Sequence, residues 1–155
     1  MKKMLLAITT LMMGCPAFAA TASSSIPMGI DVPKSCTFFD VSTGIIVPED
    51  GSEATGNFKM SCNTGYSVYF TTNSSIASGT GSYVKSAQGT QIPTTTSVTL
   101  WGLQSVITSS WTYIDGPPVY IGPQSGNFKV KLNSPTTATT PAGIYTDTLN
   151  MTVTY

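Results

Sequence analysis

Histidine and arginine are absent from this 155-residue chain, and charged residues make up only 9% of it. Without histidine there is no His-based triad, no imidazole general base and no His metal ligand. Long apolar runs are equally scarce. The one candidate, Met4 to Met13, is interrupted by Thr9 and Thr10. It is shorter than the roughly 20 apolar residues that cross a bilayer. Lys2 and Lys3 precede it, and Ala17-Phe18-Ala19 follows it with a small–x–small pattern. Residues 1–19 therefore read as a cleaved secretory signal. The rival reading, a lipoprotein site at Gly14-Cys15, has Met12 and Met13 in poor positions and Pro16 directly after the cysteine.

From Ala20 onward the chain carries five lysines (34, 59, 85, 129, 131) and seven acids (31, 40, 49, 50, 53, 115, 147), a net of 5 − 7 = −2. A nucleic-acid binder needs a basic face for phosphates, and none can be assembled from this set. A polybasic membrane patch is excluded on the same count. Two cysteines remain, Cys36 and Cys62, 26 positions apart. Export to an oxidising space makes a disulfide their default state. The alternative, a metal or redox pair, lacks histidine and lacks C-x-x-C spacing.

What is abundant is β-former and turn chemistry. Val, Ile, Thr, Tyr and Phe alternate with Gly, Pro, Ser and Asn through nearly everything after residue 30. No amphipathic helix is expected, and the fold class is all-β, a sandwich or barrel in one domain. Strands are expected over 35–47, over 57–71 with a turn at Asn63-Thr64-Gly65, over 127–132 and over 144–155. Weaker ones are expected over 98–103, 110–114 and 119–121. Residues 48–56 read as a polar turn, and 73–97 as long loops.

The most informative stretch precedes Cys36. Ile26, Met28, Ile30 and Val32 recur with period two, which places them on one face of an extended strand. The last strand is expected to run to Tyr155 with Leu149, Met151, Val153 and Tyr155 on one face. A sandwich one strand short of the usual seven would leave its core open along a groove. Two readings stand at this point. Residues 26–32 are either the first strand of a complete monomer or a strand offered to a neighbour's groove.

Three segments resemble subunits of chaperone–usher pili, most closely the archaic class related to spore-coat protein U. They are Val32-Pro33-Lys34-Ser35-Cys36-Thr37, the run from Ala54 to Cys62, and the run from Pro141 to Tyr155. The last match is the most specific. Between Ser74 and Ser125 the match is patchy, and Trp101-Gly102 is the best counterpart of the family's Trp-Gly region. The resemblance implies an incomplete immunoglobulin-like sandwich over residues 35–155, with residues 20–34 as a donor extension. It implies assembly into a surface fimbrium that supports adhesion and biofilm formation. The implied partners are sibling pilins, a periplasmic chaperone, an outer-membrane usher and a host receptor. Export would run through the periplasm to the cell surface. Ile26, Met28, Ile30 and Val32 would fill the next subunit's groove. Leu149, Met151, Val153 and Tyr155 would border the groove that receives a strand.

Other constellations carry less. Lys85-Ser86 as a catalytic pair would point to opposite faces of a strand. Glu49, Asp50 and Glu53 around Gly51 lack the spaced oxygens of a calcium loop. Trp101, Trp111, Tyr113 and Tyr120 could form a receptor-binding patch, but core packing is the ordinary fate of such rings. Asn73-Ser74-Ser75 and Asn150-Met151-Thr152 match the glycosylation pattern, which a bacterial pilin would leave unused. No cofactor and no catalytic activity are expected. The competing functional readings are a monomeric secreted binding module and a spore-coat-like surface-layer protein.

Overall fold

The computed structural model describes residues 21–108, 112–116 and 122–155. The signal segment 1–19, Trp111, Tyr120 and the strand expected over 119–121 lie outside the described residues. The chain divides into two units at Asp31/Val32. In the first, the described residues 21–31 form neither helix nor strand and are exposed.

The second unit is β-rich. In chain order its elements are β1 (Cys36–Phe39), β2 (Ala54–Cys62), β3 (Tyr66–Thr72), α1 (Asn73–Ser78), β4 (Ser82–Ser86), β5 (Gln91–Leu100), β6 (Leu103–Val106), β7 (Thr112–Gly116), β8 (Gly122–Leu132), β9 (Tyr145–Thr146) and β10 (Leu149–Thr154). The larger sheet runs β1-β2-β8-β5-β4-β9, with β6 on β5; the smaller runs β10-β3-β7. All pairings are antiparallel. The all-β expectation holds.

Period-two alternation drives the packing. On β2, Phe58, Met60 and Cys62 point inward, while Thr55, Asn57 and Lys59 face water. On β3, Tyr66, Val68, Phe70 and Thr72 are buried. The two sheets meet where Phe58 and Phe70 approach with ring centroids 5.8 Å apart. Val98, Leu100, Ile114 and Phe128 complete the shared core. Two glycines make room for two rings. Gly56 stands opposite Phe128 and Gly126 opposite Phe58 across the β2–β8 ladder. A Cβ at either glycine would lie 2.3 Å from the facing ring, so each Phe covers a bare backbone on the neighbouring strand.

Several expected elements are corrected. The strand expected over 35–47 ends at Phe39, because Asp40 adopts φ 50° and turns the chain out of the ladder. The strand expected over 98–103 breaks at Leu100. There Trp101 and Gly102, with φ 54° and 76°, form a two-residue hairpin into β6, as a turn with two left-handed residues requires. The expected long loops over 73–97 instead hold α1, β4 and most of β5. The helix, which the composition argued against, is a single short one. Thr72 and Ser75 cap each other's backbone at its start, and Gly79 ends it in the left-handed conformation. The strand expected over 144–155 is two strands, β9 and β10, in different sheets.

Candidate functional site

β10 is an edge strand. It pairs with β3 from Leu149↔Thr72 to Thr154↔Ser67, and among the described residues no strand covers its other side. The Asn73 amide donates to the Thr148 carbonyl at 3.0 Å, so residue 148 turns its backbone toward β3. Antiparallel ladders alternate. The N–H and C=O groups of Leu149, Met151 and Val153 therefore face away from β3, toward the uncovered side. Their side chains are half-buried against the core. Tyr155 follows the strand and is 52% exposed.

Beside that edge lies a groove of about 880 Å³, near the upper end of the roughly 300–1,000 Å³ common for ligand sites. One bank is β10, through Leu149 and Met151; residues 140–148 and the irregular segment 41–47 supply other walls. That segment is tied to β2 by two 2.9 Å bonds, from Ser42 N–H to the Asn57 carbonyl and from Asn57 N–H to the Ser42 hydroxyl. The floor is largely apolar, formed by Val84, Ile92, Phe128, Val130 and Leu132. Sequence reasoning placed 41–47 in a continuous strand and missed its role as a wall. The bend at Asp40 has no clear mark in the residue pattern.

The floor also contains Thr72, Thr94 and Thr96, all buried. Their hydroxyls are spent internally. Thr94 donates to Ser82 Oγ at 3.0 Å, and Ser82 lies 3.0 Å from Thr96 Oγ1 and 3.1 Å from the Thr94 carbonyl. Thr72 Oγ1 accepts from the Ser75 amide and lies 3.0 Å from Ser74 Oγ. Satisfied hydroxyls carry little desolvation penalty, so this floor tolerates an apolar occupant.

Asp147 pins one end of the groove. Its carboxylate accepts from the Ser74 amide at 3.1 Å and from the Ser74 hydroxyl at 2.5 Å. Ser74 Oγ in turn accepts from the Tyr83 amide at 2.9 Å. One buried serine thus joins α1, β4 and the crossover from β9 to β10. Sequence reasoning assigned Asp147 no role.

The expected site residues fall as follows. Cys36 and Cys62 are bonded, with an S–S distance of 2.02 Å, and sit opposite each other in the β1–β2 register. Ile26, Met28, Ile30 and Val32 are 63–95% exposed. Leu149, Met151 and Val153 share the inward face of β10. Lys85 is exposed and Ser86 buried, on opposite faces of β4. Asp50 accepts from the Ser52 amide at 2.9 Å. Hydrogen bonds from the Ser52 side chain and backbone hold its carboxyl below the usual range. Glu53 pairs with Lys129 at 3.0 Å. Among the described residues no cluster of three His, Cys, Asp or Glu side chains could hold a metal. Trp101 packs on Tyr66 at 5.6 Å against the core, and burial pushes the Tyr66 phenol up. The two sequon asparagines bond each other, Asn150 Nδ2 donating to Asn73 Oδ1 at 2.9 Å.

No protein-family model matches the chain, and no curated protein does. A solved structure of a chaperone–tip adhesin complex of CFA/I fimbriae is similar over 77% of this chain and 41% of that chain, with 18% identity and a TM-score of 0.45. The chain spans about two fifths of that chain's length.

Proposed function

We propose that this chain is the structural subunit of a surface pilus, assembled head to tail by strand donation between copies or sibling subunits. One observation carries the reading. A strand edge with outward-facing backbone groups borders an apolar groove, and the same chain bears an exposed period-two apolar segment. β-Strand addition is the physical means by which such an edge takes an extended segment. A contact between different surfaces of identical subunits is heterologous, and where its rotation does not close a ring it generates an open fibre.

In this reading residues 1–19 are a removed export signal and residues 20–34 the donor extension of a domain spanning 35–155. Ile26, Met28, Ile30 and Val32 fill the next subunit's groove, at about 1.5–3 kcal/mol for each side chain fully buried. Leu149, Met151, Val153 and Tyr155 form the edge that receives this segment, Leu149 and Met151 lining the groove itself. An occupant antiparallel to β10 would pair with it through its core-facing residues, because opposed residues share a face. Pro27 and Pro33, which have no N–H, would then face the irregular 41–47 bank and leave the pairing with β10 whole. A periplasmic chaperone holds the groove before assembly, an outer-membrane usher exports the fibre, and the product serves adhesion and biofilm formation.

The test is an SDS gel of material sheared from cells co-expressing the chaperone and usher, run with and without boiling. A ladder that collapses on boiling is the expected result. A monomer band in both lanes would overturn the proposal.

A further inference from the structure

The root of the exposed segment is held by one residue. Asn63, in the turn after β2, makes three hydrogen bonds to residues 33–35. Its N–H donates to the Ser35 carbonyl at 3.1 Å. Its side-chain Oδ1 accepts from the Ser35 N–H at 2.7 Å, and its Nδ2 donates to the Pro33 carbonyl at 2.9 Å. Ser35 and Asn63 continue the β1–β2 register by one position beyond Cys36↔Cys62. The side-chain amide supplies the half of that rung that the main chain of Asn63 leaves out, and reaches two residues further to Pro33. The disulfide is the next rung inward. Only a carboxamide of this length offers both a donor and an acceptor at that spacing. An aspartate would set a second oxygen against the Pro33 carbonyl.

The placement matters because the apolar run of four side chains ends at Val32, directly before the first clamped carbonyl. Were the chain free up to Cys36, residues 33–35 would add roughly 10 Å of tether, at about 3.3–3.6 Å per residue. Lys34 and Ser35 would each bring two rotatable dihedrals, and Pro33, its φ fixed by the ring, one. With Asn63 in place that slack is gone.

We propose that Asn63 is a positioning residue. It fixes the path of residues 33–35, the link between the donor segment and the domain, and so narrows the spread of angles between successive subunits in the fibre. The inference rests on the pilus reading and goes beyond it, since strand donation as such needs no fixed exit direction.

The test uses full-length subunits assembled in cells. Asn63→Leu keeps the side-chain size and removes both side-chain bonds; Asn63→Asp keeps one acceptor and removes the donor. In the isolated subunit, hydrogen exchange at the Ser35 amide should quicken roughly fivefold in Asn63→Leu, with the melting temperature near wild type. In sheared fibres the unboiled ladder should persist at wild-type lengths. Electron micrographs should show a broader spread of inter-subunit angles and a shorter persistence length. A merely structural role would move the melting temperature and leave the angles alone. An Asn63→Leu fibre with wild-type angles would overturn the proposal. If that variant yields no folded subunit, Asn63→Asp carries the same expectation, and wild-type angles there overturn it equally. A ladder lost in both variants would also overturn it, because orientation alone does not remove donation. Absence of a ladder in wild type would overturn the pilus reading itself and this proposal with it.

Discussion

The two sheets end in opposite ways. The larger sheet ends at β1, which is four residues long, bonded to β2 by the Cys36–Cys62 disulfide and clamped upstream by Asn63. Beyond Phe39 the chain turns away at Asp40, whose carboxylate meets Lys59 at 3.0 Å. Shortness, a bend and charge are the ordinary defences of an exposed edge against pairing. The smaller sheet ends at β10, whose six residues include no proline and no charge. Its outward backbone groups stand beside an apolar groove. One chain has closed one edge and left the other competent to pair. A long, uncharged, uncovered edge is an aggregation hazard in a free monomer. Under the proposed function a partner strand covers it.

The sharpest way to break this contrast is to spoil the segment that the proposed function assigns to the open edge. Ile30→Asp places a carboxylate where the donor reading needs an apolar side chain, and burying an unpaired charge is prohibitive. The expected outcome is loss of the whole unboiled ladder, while the subunit's melting temperature stays at its wild-type value. A normal ladder from this variant would remove residues 26–32 from the donor role.

Opening the closed edge should have a smaller but clear effect. Cys36→Ser frees a loop with a sequence separation of 26, worth about 3 kcal/mol in the chain-entropy account. Subunit yield should fall, and the melting temperature should drop by roughly 10 °C. Calorimetry showing no change would mean that the bridge does not hold this edge. Asp147→Ala acts at the other edge, on the crossover into β10. It strips the acceptor from the buried Ser74 amide and hydroxyl, a loss of about 1–3 kcal/mol. The melting temperature should fall less than in Cys36→Ser, and the amide of Asn73, bonded to Thr148, should exchange faster. Unchanged exchange there would detach the clamp from the groove.

How much of this was readable in the residues alone differs between the same two regions. The closed side was largely legible. Phe58, Met60 and Cys62 alternate cleanly, the turn at Asn63-Thr64-Gly65 lies between two such runs, and only two cysteines were left to pair. The inward face of β10 was legible for the same reason. The far wall of the groove was not, because a left-handed residue at Asp40 leaves no periodic trace and Val41, Ile45 and Val47 still read as strand. Residues 73–97 misled in another way. Thr94, Thr96, Ser82 and Ser74 are polar by type and buried in fact, because the first three hydroxyls partner one another and that of Ser74 meets Thr72 and Asp147. Hydropathy patterns cannot register that compensation, since it depends on residues 12 and 14 positions apart meeting across strands.

The smallest effect tests whether the core near the hairpin of Trp101 is dry. Burial raises the Tyr66 phenol above its ordinary value of about 10. In the folded chain the phenol therefore stays protonated at a pH where the unfolded chain has begun to lose that proton. The unfolded state then binds fewer protons than the folded state, and stability falls as pH rises. The contribution is fully present below about pH 10 and is lost progressively as the pH climbs through the folded value. Melting curves by circular dichroism should overlay between about pH 7 and pH 9 and shift downward above about pH 10. Tyr66→Phe removes the proton while keeping the ring against Trp101. The part of the alkaline shift that disappears in this variant belongs to Tyr66, separate from the titrating lysines and exposed tyrosines. If the variant and the wild type decline together at every pH, water reaches the phenol and this part of the core is more open than its burial indicates.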